Sequence, residues 1–77
     1  MTKKKQQPPK WFDGMIYEEG AEVTNQFSGE KYTLNNLELS IYDYVMGCQM
    51  TSNWNGLRRG LDWFRTNNAK AYLILLD

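Results

Sequence analysis

The chain has 77 residues, nine basic and nine acidic side chains, no histidine and a single cysteine, Cys48. That length allows one domain, and at this size folding buries only about 60% of the unfolded chain's surface. A lone cysteine excludes an internal disulfide and, without histidine, a structural zinc site. Tight packing or self-association is left to stabilise the domain, and an aromatic content of 14% suits both.

The neutral total hides a polarised layout. Residues 1–10 hold four lysines and no acid, whereas residues 11–43 hold seven acids against Lys31 alone. Without the first ten residues the chain carries five basic and nine acidic side chains, a balance of −4. A body of that sign repels a phosphate backbone. No stretch approaches the roughly 20 apolar residues that span a bilayer, and the Lys-rich start lacks the apolar core of a secretory signal. No glycosylation acceptor occurs. A soluble protein of the reducing cytoplasm is the expectation.

In chain order, residues 1–10 (MTKKKQQPPK) have no large apolar residue after Met1, and a disordered basic tail is expected there. Residues 11–77 form the domain. From Trp11 to Leu34 the pattern predicts a short antiparallel meander. Met15-Ile16-Tyr17 and Ala21-Glu22-Val23-Thr24 read as strands around Glu18-Glu19-Gly20, with Gly20 supplying positive φ. A turn at Phe27-Ser28-Gly29-Glu30 leads into Lys31-Tyr32-Thr33-Leu34. Val23, Phe27, Tyr32 and Leu34 supply its apolar face.

Asn35 with Glu38 three residues on predicts a capping box and a helix to about Met50, broken by Thr51-Ser52-Asn53. Leu37, Ile41, Tyr44 and Cys48 fall on one side of it, and Leu39, Tyr42, Met46 and Met50 on the other. A second helix runs from near Asn53 to about Thr66, with Trp54, Leu57, Leu61 and Phe64 sharing a face. Asn68 then caps a short third helix through Ala69 to Leu76, or Tyr72–Leu76 forms a strand; the short apolar run suits either. The fold class is α+β, a short β-meander followed by two to three helices.

The segments Val23-Thr24-Asn25-Gln26-Phe27-Ser28-Gly29-Glu30, Glu38-Leu39-Ser40-Ile41-Tyr42-Asp43-Tyr44 and Met46-Gly47 resemble a family of short proteins from marine tailed phages. Gly60-Leu61-Asp62-Trp63-Phe64-Arg65 and Asn67-Asn68-Ala69-Lys70-Ala71-Tyr72 fit the same family. The resemblance covers most of residues 11–77. It implies a phage source and a small accessory role, and it carries no catalytic residues.

The residues themselves speak against catalysis. Histidine, the commonest general acid–base, is absent, and Cys48 sits on an apolar helix stripe where a buried, inert thiol is expected. The six glycines form no phosphate-binding loop, and the carboxylates lack calcium-loop spacing. No catalytic, cofactor or metal residue is therefore assigned, and no small-molecule substrate is evident. Two surfaces remain for binding. Trp63 points away from the Trp54–Phe64 face with Arg59 placed to stack on it, either as a hot spot or covered by Trp11-Phe12 or the third helix. Leu39, Tyr42, Met46 and Met50 face either a second layer of this chain or a partner subunit. The expected function is non-enzymatic interaction, with a protein partner or as a homodimer. The alternative is nucleic-acid association through Lys3-Lys4-Lys5, against which the acidic body weighs.

Overall fold

The computed structural model describes residues 8–12 and 14–76. The disorder expected of the tail falls mainly on residues 1–7, outside the described residues. Asn35 opens the longest element. Its extended backbone (φ −75°, ψ 178°) aims the side-chain Oδ1 to accept from Glu38 N at 2.8 Å. Glu38 Oε1 accepts in return from Asn35 N at 2.9 Å, completing the capping box. Helix α1, Asn36–Met50, follows. Asn35→Ala is expected to cost about 1 kcal/mol in denaturant unfolding, the usual loss for a cap. No measurable change would place the start of α1 elsewhere.

Ser52, at φ 58°, reverses the chain after α1, and Asn53 then caps α2, Trp54–Asn67, by accepting from Gly56 N at 3.1 Å. Asn68 accepts from Ala71 N at 3.2 Å and opens α3, Ala69–Ala71, which continues as a π-helical segment, Tyr72–Leu76. The strand alternative for Tyr72–Leu76 is thereby set aside, because the cap commits the segment to a helical start.

Upstream, β1, Ala21–Thr24, pairs antiparallel with β2, Lys31–Leu34, setting Ala21 opposite Leu34 and Val23 opposite Tyr32. The connecting turn is an Asx turn. Asn25 Oδ1 accepts from Phe27 N at 2.8 Å and from Ser28 N at 3.3 Å, and Gly29 takes φ 79°. Asn25 Nδ2 reaches the other way to Ile74 O at 2.8 Å, fastening the hairpin to the C-terminal segment. A two-stranded antiparallel sheet followed by three helices is a small α+β fold.

Three expectations for the meander are corrected. Met15–Tyr17 is not a strand: Tyr17 N donates to Ser40 Oγ of α1 at 2.9 Å instead of to a strand partner. Gly20 does not supply positive φ; a Cβ there would overlap Leu34 O, so glycine is needed for close backbone approach. Phe27 is 99% exposed because it stands at the tip of the Asx turn, beyond the sheet's inner face.

The core gathers Leu34 from β2, Leu37, Ile41 and Val45 from α1, Trp63 and Phe64 from α2, and Ala71 and Leu75 behind them. On α2, Leu57, Leu61 and Phe64 of the face that spacing suggests pack on the core, but Trp54 does not. Trp54 is 61% exposed, while Gly56, Gly60, Trp63 and Phe64 are buried. Two glycines four residues apart let α1 lie close. A Cβ on Gly56 would meet Tyr44 Oη and Cys48 Sγ, and one on Gly60 would overlap Val45 Cγ2. This close approach rotates α2 until its small residues, not its first tryptophan, face α1. Gly60→Ala should therefore destabilise by about 1–2 kcal/mol, overpacking outweighing the helix-propensity gain. Gly47→Ala in α1, where a Cβ meets nothing within 4 Å, should stabilise by about 0.5–1 kcal/mol. Paired unfolding curves with shifts of the same sign would refute this packing account.

One polar cluster links the elements at the other end. Glu38, buried at the start of α1, accepts through Oε2 from Asn68 Nδ2 at 2.8 Å. Asn68 Oδ1 accepts from Tyr32 Oη at 3.4 Å as well as from Ala71 N. The N-termini of α1 and α3 and the strand β2 thus share two side chains. Among the described residues no buried side-chain polar atom is left without a partner.

Candidate functional site

Trp11 and Phe12 approach the domain over Tyr44 of α1, with ring centroids 5.4 and 5.8 Å away. Phe12 meets Tyr44 edge-on at 89°, and Trp11 meets Phe12 edge-on at 86°, arrangements that aromatic quadrupoles favour. Phe12 and residues 14–18 lie beside α1 and leave a groove of about 490 Å³ between them and the helix. One wall carries Met15, Ile16 and Tyr17; the other carries Ser40, Asp43 and Tyr44.

Ser40 fastens the walls together. It is buried in α1, donates its hydroxyl to Asn36 O at 2.8 Å and accepts Tyr17 N. Tyr17 Oη donates to Asp43 Oδ2 at 2.8 Å, one turn along. That hydrogen bond, and then the carboxylate's negative charge, raise the Tyr17 pKa above its ordinary value of 10.0. A raised tyrosine pKa means the neutral phenol is favoured in the folded chain, so the contact is present at neutral pH. It is lost only as the pH climbs past the ordinary tyrosine range. Met15, by contrast, is 92% exposed at the mouth of the groove.

The residues singled out in the sequence are distributed differently. Trp63 does not face away from the core: it is 8% exposed and packs edge-on against Phe64 at 5.2 Å. The rotation of α2 about its glycines turns Trp63 inward. Trp63 and Arg59 line a shallow hollow of about 280 Å³ together with Trp11. Arg59 does not stack on Trp63; among the described residues the cation–π contact is Arg65 over the Tyr72 ring, at 5.3 Å. Leu39, Tyr42 and Met46 are half-buried and pack against the core, whereas Met50 is 86% exposed. The stripe is thus mostly covered by its own chain, and burial raises the Tyr42 pKa.

Cys48 is buried beside Gly56. Native labelling by a thiol reagent is expected to be far slower than labelling in denaturant, and equal rates would show an open thiol. Among the described residues no cluster of three metal-ligating side chains occurs, and no helix is long and apolar enough to cross a membrane.

The groove is hidden in the sequence because Met15-Ile16-Tyr17 resembles a strand by composition. The available signal is its length: three apolar residues between Gly14 and Glu18-Glu19-Gly20 are few for a strand. Ser40 and Asp43, three apart between the two apolar stripes of α1, are the other clue.

The fold and groove define a small hairpin-and-helix α+β domain with an aromatic-walled surface trough. No protein-family model, curated protein or solved structure matches the chain.

Proposed function

We propose that this chain is a small protein-binding module that engages a partner through the groove that Phe12 and residues 14–18 form with α1, and does no chemistry of its own. The exposure of Met15 and Ile16 carries this reading. Two large apolar side chains stand on a segment outside the sheet, next to Phe12 and Tyr44, and such contiguous exposed patches mark interaction sites. The absence of histidine supports the non-catalytic part, as does the Ser40 hydroxyl, which is occupied by Asn36 O and Tyr17 N rather than by a base. A phage-encoded accessory role in a reducing compartment belongs to the same proposal. It rests on the resemblance of residues 23–72 and on the unpaired Cys48.

Selection of a displayed random-peptide library on the immobilised full chain tests the reading. Enriched peptides should lose binding to the double variant Met15→Ser/Ile16→Ser. No enrichment, or peptides indifferent to the variant, would overturn it.

Self-association is a second reading, favoured by the exposure of Met50 and Trp54 on either side of the α1–α2 turn. A C₂ dimer joined there should appear in sedimentation and dissociate on Met50→Asp. A monomer at high micromolar concentration would rule it out.

A further inference from the structure

We infer that the groove takes a linear segment of a partner protein in which an apolar anchor is flanked by lysine or arginine, a refinement that rests on the protein-binding reading above. Its lining is largely apolar: Phe12 and Tyr44 meet edge-to-face, and Met15 and Ile16 offer exposed side chains beside them. Its charged lining is only acidic, Glu18 on one wall and Asp43 on the other. Neither residues 11–30 nor α1 contains a single lysine or arginine, so both walls come from segments of one sign. Tyr17 Oη occupies Oδ2 of Asp43, leaving Oδ1 to accept from an incoming ammonium or guanidinium. Complementary charge steers such a segment and sets its register, while the apolar anchor supplies most of the affinity. Met15 stands at the mouth rather than closing over it, which suits a peptide laid along the trough. A small molecule would instead be enclosed on most of its surface.

The test uses the full chain and fluorescein-labelled Lys-Lys-Leu-Phe-Lys-Lys, followed by fluorescence anisotropy. Saturable binding is expected, weaker by about tenfold or more for Lys-Lys-Ser-Ser-Lys-Lys and for Glu-Glu-Leu-Phe-Glu-Glu. Asp43→Asn should weaken it by about three- to fivefold, an effect that added salt removes. Ile16→Ser should weaken it by about tenfold, and Leu73→Ser, an exposed apolar change away from the groove, should leave it unchanged. All three substitutions are at exposed residues, and thermal unfolding of each verifies the fold. Equal binding by Ser-Ser-Leu-Phe-Ser-Ser would overturn the charge requirement while leaving the protein-binding reading intact. No saturable binding by the basic peptide would overturn the inference, and the library selection then judges the broader reading by itself. If neutralising Lys3, Lys4 and Lys5 tightens the peptide by about tenfold, the chain's own tail is the occupant and the inference fails. A dimer in sedimentation that the basic peptide dissociates and Ile16→Ser abolishes would assign the groove to a second copy, and the inference would fail in the same way.

Discussion

Phe64→Ala is expected to destabilise the domain by about 3–5 kcal/mol, the range for deleting a buried aromatic ring. Phe64 is fully buried at the centre of the core, with Trp63 edge-on to it and Ile41, Val45 and Leu75 in the same cluster. Its removal leaves a void that α1, α2 and the C-terminal segment all border. A chain of this length is expected to hold roughly 4–12 kcal/mol in total, so the loss removes about a quarter or more of the stability and, at the lower end of that range, unfolds much of the population at room temperature. Phe27→Ala is the matched control. The same side chain is lost, but Phe27 is 99% exposed, and the change should stay within about 0.5 kcal/mol. Denaturant unfolding of the pair decides the matter, and similar losses for both would contradict the placement of the core.

Glu38→Ala should cost about 3–6 kcal/mol, more than a cap alone. The carboxylate of Glu38 joins two tasks: Oε1 closes the capping box with Asn35 N, and Oε2 holds Asn68 Nδ2. Truncation leaves both donors without that partner in a part-buried position, where each lost hydrogen bond to a charged group is worth about 1.5–3 kcal/mol. The position at the start of α1 adds favourable interaction between the carboxylate and the helix dipole. Glu38→Gln should recover about half of the loss. Its amide oxygen can still serve Asn35 N, but its NH₂ then confronts the Asn68 NH₂. Asn68 cannot flip to help, because its own oxygen already accepts from Ala71 N and Tyr32 Oη. A double-mutant cycle between Glu38→Ala and Asn68→Ala should return a coupling of about 1 kcal/mol or more. Strict additivity would show that the two helix starts are stabilised independently.

Asn35, Asn53 and Asn68 are legible as helix starts because a cap is a local device, complete within four residues. The same holds for the Phe27–Glu30 turn, the ends of α1 and α2, and the α+β class itself. Charge is also local: the acid-rich stretch of residues 11–43 is visible without any fold. The groove is not legible. It exists because Tyr17 finds Ser40 and Asp43, more than twenty residues away, instead of a neighbouring strand. Periodicity carries no information about so distant a partner.

Sequence alone therefore determined the limits of α1 and α2, the strands β1 and β2, the two-sided apolar pattern of α1, and the exclusion of an internal disulfide and a structural zinc site. Tertiary structure decided which side of α2 is buried, and with it the fate of Trp63. Spacing placed Trp54 inside and Trp63 outside, but the contact between α1 and α2 is set by how closely their backbones can come. Gly56 and Gly60 allow the closest approach, so α2 turns that side toward Val45, carrying Trp63 inward and leaving Trp54 exposed. Apolar periodicity counts large side chains, whereas close packing is decided as much by where a side chain is missing.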